Sequence, residues 1–317
     1  MNLRFRPAAK ADFPAFYHGC FDAHRGNEAL RTVVEGEWIA FLNNGGQLSM
    51  LVEDTDREVG DMAVGFAQTV FVSDAFVEYV CKDSPPHVNQ LACRKLPDGS
   101  WPLLTNDRIC QANSDCGLNA MMTRWGWREA TLNAEEQWSV RRCIEYNYLL
   151  FYRGYKYKQL LVPAYSDFAC QGLVNAGCRL YRDYADYYRE HPSAMPSSGR
   201  PYLFGSTAAE ARLKEGTSVS QIFDFTPPRF FFPAHDQEVL WWTLLGCSDA
   251  EVATKAGVTL NAVHKRWASI YRRIEDRDRR LLPRVNDGVR GTEKKRIVMQ
   301  YVREHLEELR PYREPVG

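Results

Sequence analysis

Apolar residues recur at helical spacing in the last third of the chain. Val239, Leu240, Trp242 and Leu244 form a periodic run that stops at Gly246, a residue able to take the left-handed conformation that ends a helix. Ser248 with Glu251 three residues on is the capping-box pattern, and it opens a short helix from Asp249 to about Ala256, ended by Gly257. Val258 turns inward, and Thr259 offers the next N-cap hydroxyl. A third helix then runs from about Leu260 to Arg273. Val263, Trp267, Ile270 and Ile274 form its buried stripe, and Asn261, His264, Lys265, Ala268 and Arg272 form its open face. A last helix, capped by Thr292, carries Ile297, Val298, Tyr301, Val302 and Leu306 on one side. That side either pairs two subunits or docks on its own chain.

The earlier residues read differently. Leu3–Ala8 makes a first strand, followed by Asp12 and an apolar-rich helix; alternation predicts further strands at Gln47–Val52 and Gly65–Val72. From Gly117 the expected order is a strand (Leu118 to about Trp125), a long helix (Asn133–Tyr152, capped by Asn133) and a strand (Tyr157–Pro163). A short helix (Asp167–Asn175) and another strand (Cys178–Tyr184) follow. Pro192, Pro196, Ser197, Ser198 and Gly199 then mark an exposed connection, interrupted by a helix near Ala208–Glu215 and a strand at Val219–Phe225. The expected fold class is α/β (α+β). A mixed sheet flanked by helices occupies 1–190, a linker 191–228, and an all-α helix-turn-helix unit 229–317.

Composition narrows this only a little. The chain has 317 residues with Lys+Arg 40 and Asp+Glu 40, an ordinary globular balance with room for two domains. Charge is uneven: residues 229–317 hold 17 basic and 13 acidic side chains, so the balance there is positive. Between Val252 and Ile274 stand Lys255, Lys265, Arg266, Arg272 and Arg273, with no acidic residue. No run approaches the ~20 apolar residues of a membrane span, and the first residues lack an apolar signal core, so no membrane association is expected. Nine scattered cysteines have no two-residue zinc spacing and read as free thiols with no metal.

The C-terminal pattern of Glu238-Val239-Leu240, Gly246, Ser248, Glu251-Val252-Ala253, Val258-Thr259, Val263 and Ile270 resembles the LuxR/FixJ-type helix-turn-helix signature without a gap. His264 and Arg266 depart from the family's usual Lys and His. The resemblance implies a sequence-specific transcriptional regulator in the bacterial cytoplasm, associated with the nucleoid. Its partners would be double-stranded DNA, RNA polymerase and a small-molecule effector, and it would act as a homodimer. Asn261, His264 and Lys265 would reach base edges; Lys255, Thr259, Arg266, Arg272 and Arg273 would reach phosphates.

Leu3-Arg4-Phe5-Arg6-Pro7-Ala8 and the strand–helix order of 117–184 resemble the GNAT acetyltransferases. Their glycine-rich pyrophosphate loop has no match in Arg124-Trp125-Gly126-Trp127-Arg128-Glu129-Ala130-Thr131. The tryptophans block close backbone approach, and Asp107, Asp115 and His87 stand isolated, so the expectation is a sensor or dimerisation domain with no catalytic residues, no cofactor and no enzyme activity. Two alternatives stand beside it. One is an acyltransferase fused to a DNA-binding module, with Arg124 and Arg128 as phosphate partners; the other is a sigma-like or architectural factor.

Overall fold

The computed structural model describes residues 1–20, 28–45, 48–128, 131–196, 199–282 and 291–314. Seven strands form one sheet in the order β1-β2-β3-β4-β5-β7-β6. They are β1 (Leu3–Pro7), β2 (Met50–Asp54), β3 (Ala63–Val72), β4 (Leu118–Trp127), β5 (Tyr157–Ala164), β6 (Arg179–Arg182) and β7 (Tyr202–Thr207). All neighbours are antiparallel except β4 and β5. A parallel pair needs a crossover, which the long helix between these two strands supplies. This is the GNAT-like mixed sheet expected above.

Helices cover both faces. On one side lie α1 (Phe13–Cys20) and α2 (Glu28–Gly45), where Phe16 stacks on Trp38 at 4.3 Å and meets Phe66 edge-on at 5.2 Å. Between β3 and β4 the chain inserts α3 (Asp74–Lys82), α4 (Val88–Ala92) and α5 (Asn106–Ser114). The crossover helix α6 (Ala134–Tyr152) covers the other face. It lies so close to β3 that a Cβ on Gly65 would fall 2.7 Å from Val140 Cγ1. After β5 come α7 (Asp167–Ala176) and α8 (Ala185–Glu190), and after β7 come α9 (Ala208–Arg212) and α10 (Ser218–Ile222).

Two expectations are corrected here. Strand β7 lies inside the segment read as a linker, with Leu203–Ser206 buried between β5 and β6. The strand expected at Val219–Phe225 is α10, because Thr217 accepts the Ser220 N–H and starts a helix.

The C-terminal helices are α11 (Ala234–Leu244), α12 (Asp249–Lys255), α13 (Leu260–Arg277) and α14 (Gly291–Glu304). Ser248 and Glu251 form the capping box, and Thr259 Oγ1 accepts the Ala262 N–H. The stripe Val263, Trp267, Ile270 and Ile274 is buried as read. Val298 and Val302 of α14 are fully buried and the helix packs on α11, so its apolar side docks on the same chain. The Thr292 side chain lies outside the described residues.

These helices are fastened to the sheet by a short tail. Its 3-10 turn, Leu306–Leu309, passes Gly154 so closely that a Cβ there would clash with the Glu307 backbone; Gly154 also has a φ of +88°. Glu308, fully buried, accepts the N–H groups of Arg229 and Phe230 at 2.7 and 3.1 Å. Arg310, also fully buried, donates to Arg153 O at 2.9 Å and Leu150 O at 2.7 Å. Those carbonyls end α6, so a cation there satisfies orphan acceptors at the negative end of the helix. Asn113 Nδ2 donates to Pro311 O at 2.8 Å, and its Oδ1 accepts the Lys156 N–H at 2.7 Å.

Candidate functional site

The site begins as a fault in the sheet. Gln68 of β3 faces Arg124 of β4, but Thr69 faces Met122, so Thr123 is an extra residue in β4. Such a bulge kinks its strand and ends regular pairing. Two contacts lock it: Asn89 Nδ2 donates to Thr123 O at 2.8 Å, and Thr123 Oγ1 donates to Gln68 O at 3.1 Å. Pairing of β4 with β5 stops at the same level, with Met121 opposite Leu161. Beyond it, Met122–Trp127 of β4 has no strand on its β5 side among the described residues, while β5 continues to Ala164 against β7. The pairing of the parallel strands therefore ends in a gap, a slot in the ladder, with Met122–Trp127 on one edge and Val162–Ala164 on the other.

On the α1–α2 side of the slot, Arg124 forms a short ion pair with Glu37 of α2. Glu37 is only 5 % exposed, and the Arg124 guanidinium also lies over the Phe16 ring at 5.7 Å. Tyr165 follows the last residue of β5, within electrostatic reach of this pair. Burial pushes its hydroxyl up to about 12, although the residue as a whole is 38 % exposed. Burial likewise pushes the neighbouring Cys93 thiol up to about 12. Neither group ionises near neutrality, so the Tyr165 hydroxyl keeps its proton.

The other side is aromatic. Trp125 and Trp127 share a face, as their spacing requires, with rings 6.1 Å apart at 62°. Phe168 of α7 meets Trp127 edge-on at 6.4 Å, and Arg141 of α6 lies over Phe168 at 5.2 Å.

In the GNAT arrangement a CoA pyrophosphate would meet the α6 N-terminus, and these residues do not fit it there. Asn133 Oδ1 already accepts the Glu135 and Glu136 N–H groups, both at 3.0 Å, and Glu136 Oε2 accepts the Asn133 N–H at 2.9 Å. Two carboxylates in the first turn add like-charge repulsion toward phosphate. Arg128 is held in an ion pair with Asp61, and Arg124 by Glu37. Glu129 and Ala130 lie outside the described residues.

Glu37, Thr123 and Tyr165 were not singled out from sequence. Glu37 had a signal: it falls within the buried stripe Val34, Trp38 and Phe41, where a carboxylate needs a partner. Asp107 and Asp115 prove to mark the two ends of α5, and His87 the start of α4.

A second feature is the open face of α13, where Asn261, His264, Lys265 and Arg272 are exposed. Asn261, Lys265 and Arg272 have no intramolecular partner among the described residues. His264 Nε2 is 3.9 Å from Asp249 Oδ2. The other expected contacts each have a neighbour within the chain. Arg266 Nη1 donates to His235 O and Glu238 Oε2, both at 3.3 Å, and Arg273 Nη1 donates to Phe230 O and Phe231 O at 3.2 and 3.1 Å. The Lys255 ammonium rests 4.8 Å from the Trp242 ring centre, and Thr259 caps α13.

No family model and no curated protein matches the chain. Among solved structures, the C-terminal condensation domain of Ebony in complex with beta-alanyl-dopamine is similar at 13% identity and a TM-score of 0.38, over 65% of this chain and 99% of that one. Naa20 from Chaetomium thermophilum, in complex with a bisubstrate analogue, gives 14% and 0.37 over 68% and 91%. Arylalkylamine N-acetyltransferase 2 from Aedes aegypti gives 10% and 0.37 over 65% and 99%. At such scores the likeness is coarse, and the fold assignment rests on the strand order itself. These neighbours still correct one expectation. The chain was read as not an enzyme because it lacks the glycine-rich loop, whereas the structures it resembles include an N-acetyltransferase, and that reading is withdrawn. Among the described residues no helix is long and apolar enough to cross a membrane.

Proposed function

We propose that the chain is an acyl-transferring enzyme joined to a DNA-binding helix-turn-helix, with the slot between β4 and β5 as the transfer site. The observation that carries the reading is the bulge at Thr123, at the level where β4–β5 pairing ends and leaves two backbone edges. Fixed N–H groups of this kind hold an acyl carbonyl and favour charge developing on its oxygen. Tyr165 stands at the end of β5 as a proton donor, and the Glu37–Arg124 pair holds β4 in place after the bulge. Because the α6 N-terminus is closed by its own cap, the acyl donor is held along the slot and not by a pyrophosphate. The exposed face of α13 supports DNA binding: it is cationic, open and away from the sheet.

Hydrogen–deuterium exchange on the full chain tests the slot. With the small thioester S-acetyl-N-acetylcysteamine, we expect slowed exchange confined to Met122–Trp127 and Val162–Ala164. Unchanged exchange in both strands at saturating thioester would remove the slot as the donor site.

A further inference from the structure

A cleft of about 770 Å³ opens between the sheet and the first two C-terminal helices, separate from the slot. Its floor is apolar: Phe71, Ile109, Tyr155 and Trp241 line it, and each is nearly fully buried. Its rim is cationic. Lys10 reaches it from the turn after β1, and Lys255 from the last turn of α12. Among the described residues neither ammonium makes a direct ion pair; Lys255 rests on the Trp242 face and lies within electrostatic reach of Glu251, one turn earlier. The other charges at the rim are neutralised in place, Arg6 by Asp12 and Glu53, and Glu238 by Arg266. The rim charges left without a direct ion pair are both positive, above an apolar floor, in a volume suited to a small organic ligand.

We propose that this cleft binds an amphipathic carboxylate, its apolar body on the floor and its charge against Lys10 and Lys255. An ionised acid is the class that both features select. A neutral apolar molecule leaves the ammonium groups unmet, and a small inorganic anion leaves the floor wet. The proposal stands apart from acyl transfer, since it does not concern the slot, and it shares only Lys255 with the residues expected to reach DNA phosphates. It does touch α12, because Lys255 immediately precedes the turn into α13.

The probe is 2-naphthoate, titrated calorimetrically into the full chain without DNA, with 2-naphthamide as its uncharged counterpart. We expect saturable one-site binding of naphthoate and binding of the amide weaker by roughly tenfold, the size of one charge-assisted contact. Lys10→Met and Lys255→Met should each weaken naphthoate by about the same factor. Both side chains are at the surface, so circular dichroism should show the variants folded as the parent. No saturable heat at roughly millimolar naphthoate, amide binding equal to the acid, or a double variant that binds as the parent does would each overturn the site.

Discussion

Arg310→Ala lowers the stability of the chain by about 3–5 kcal/mol in equilibrium denaturation, a loss of the size seen when a buried charged network is broken. The side chain is fully buried and donates to two carbonyls at the end of α6. Its guanidinium also lies over Tyr155 at 4.7 Å and Trp241 at 5.5 Å, rings from the sheet half and from α11. Truncation leaves both carbonyls without a donor and opens a void between these rings. Arg310→Lys keeps the charge but not the planar fork that reaches two acceptors, so it should fall between parent and alanine variant. Parent-like stability of the alanine variant would mean that the tail does not fasten the helices to the sheet.

The largest effect on binding is expected from reversing charge on α13. Lys265→Glu combined with Arg272→Glu should weaken association with a DNA duplex at low salt by roughly a hundredfold or more. Both side chains are exposed and make no hydrogen bond or ion pair among the described residues, so folding should be untouched. Fluorescence anisotropy across a salt series adds a finer readout. Lys265→Ala should reduce the slope of log affinity against log salt by about 0.9 if it meets one phosphate. Arg266→Ala and Arg273→Ala act otherwise. Their guanidinium groups bond Glu238 and the carbonyls of Phe230 and Phe231, so their loss should lower stability before it changes the slope. Affinity unchanged by the double reversal would separate α13 from DNA.

What could be read from the sequence was local. The caps at Ser248, Thr259 and Asn133 each join a side chain to a backbone N–H within three residues, and all three form as read. Stripes at helical spacing were equally legible, as at Val263–Ile274. Features that depend on a distant partner were not. Strand β7 follows a Pro- and Ser-rich stretch, and only its pairing with β5 and β6 makes it a strand. The bulge at Thr123 exists only in the register between β3 and β4, which neither strand encodes alone. Arg310 stands among tail charges that look solvated, yet it closes a helix more than 150 positions earlier. The candidate site is built mostly from such long-range matches, and so Glu37, Thr123 and Tyr165 emerged only with the fold.

The most direct test of the central claim is acyl transfer itself, followed by mass spectrometry. The full chain would be incubated with a panel of primary amines and either acetyl-CoA or S-acetyl-N-acetylcysteamine as donor. An acetylated amine is expected from both donors at comparable rates, because the closed α6 N-terminus gives the nucleotide part no grip. No transfer above buffer from either donor would contradict an acyl-transferring slot. Transfer from acetyl-CoA alone would contradict the claim that a pyrophosphate has no place at α6.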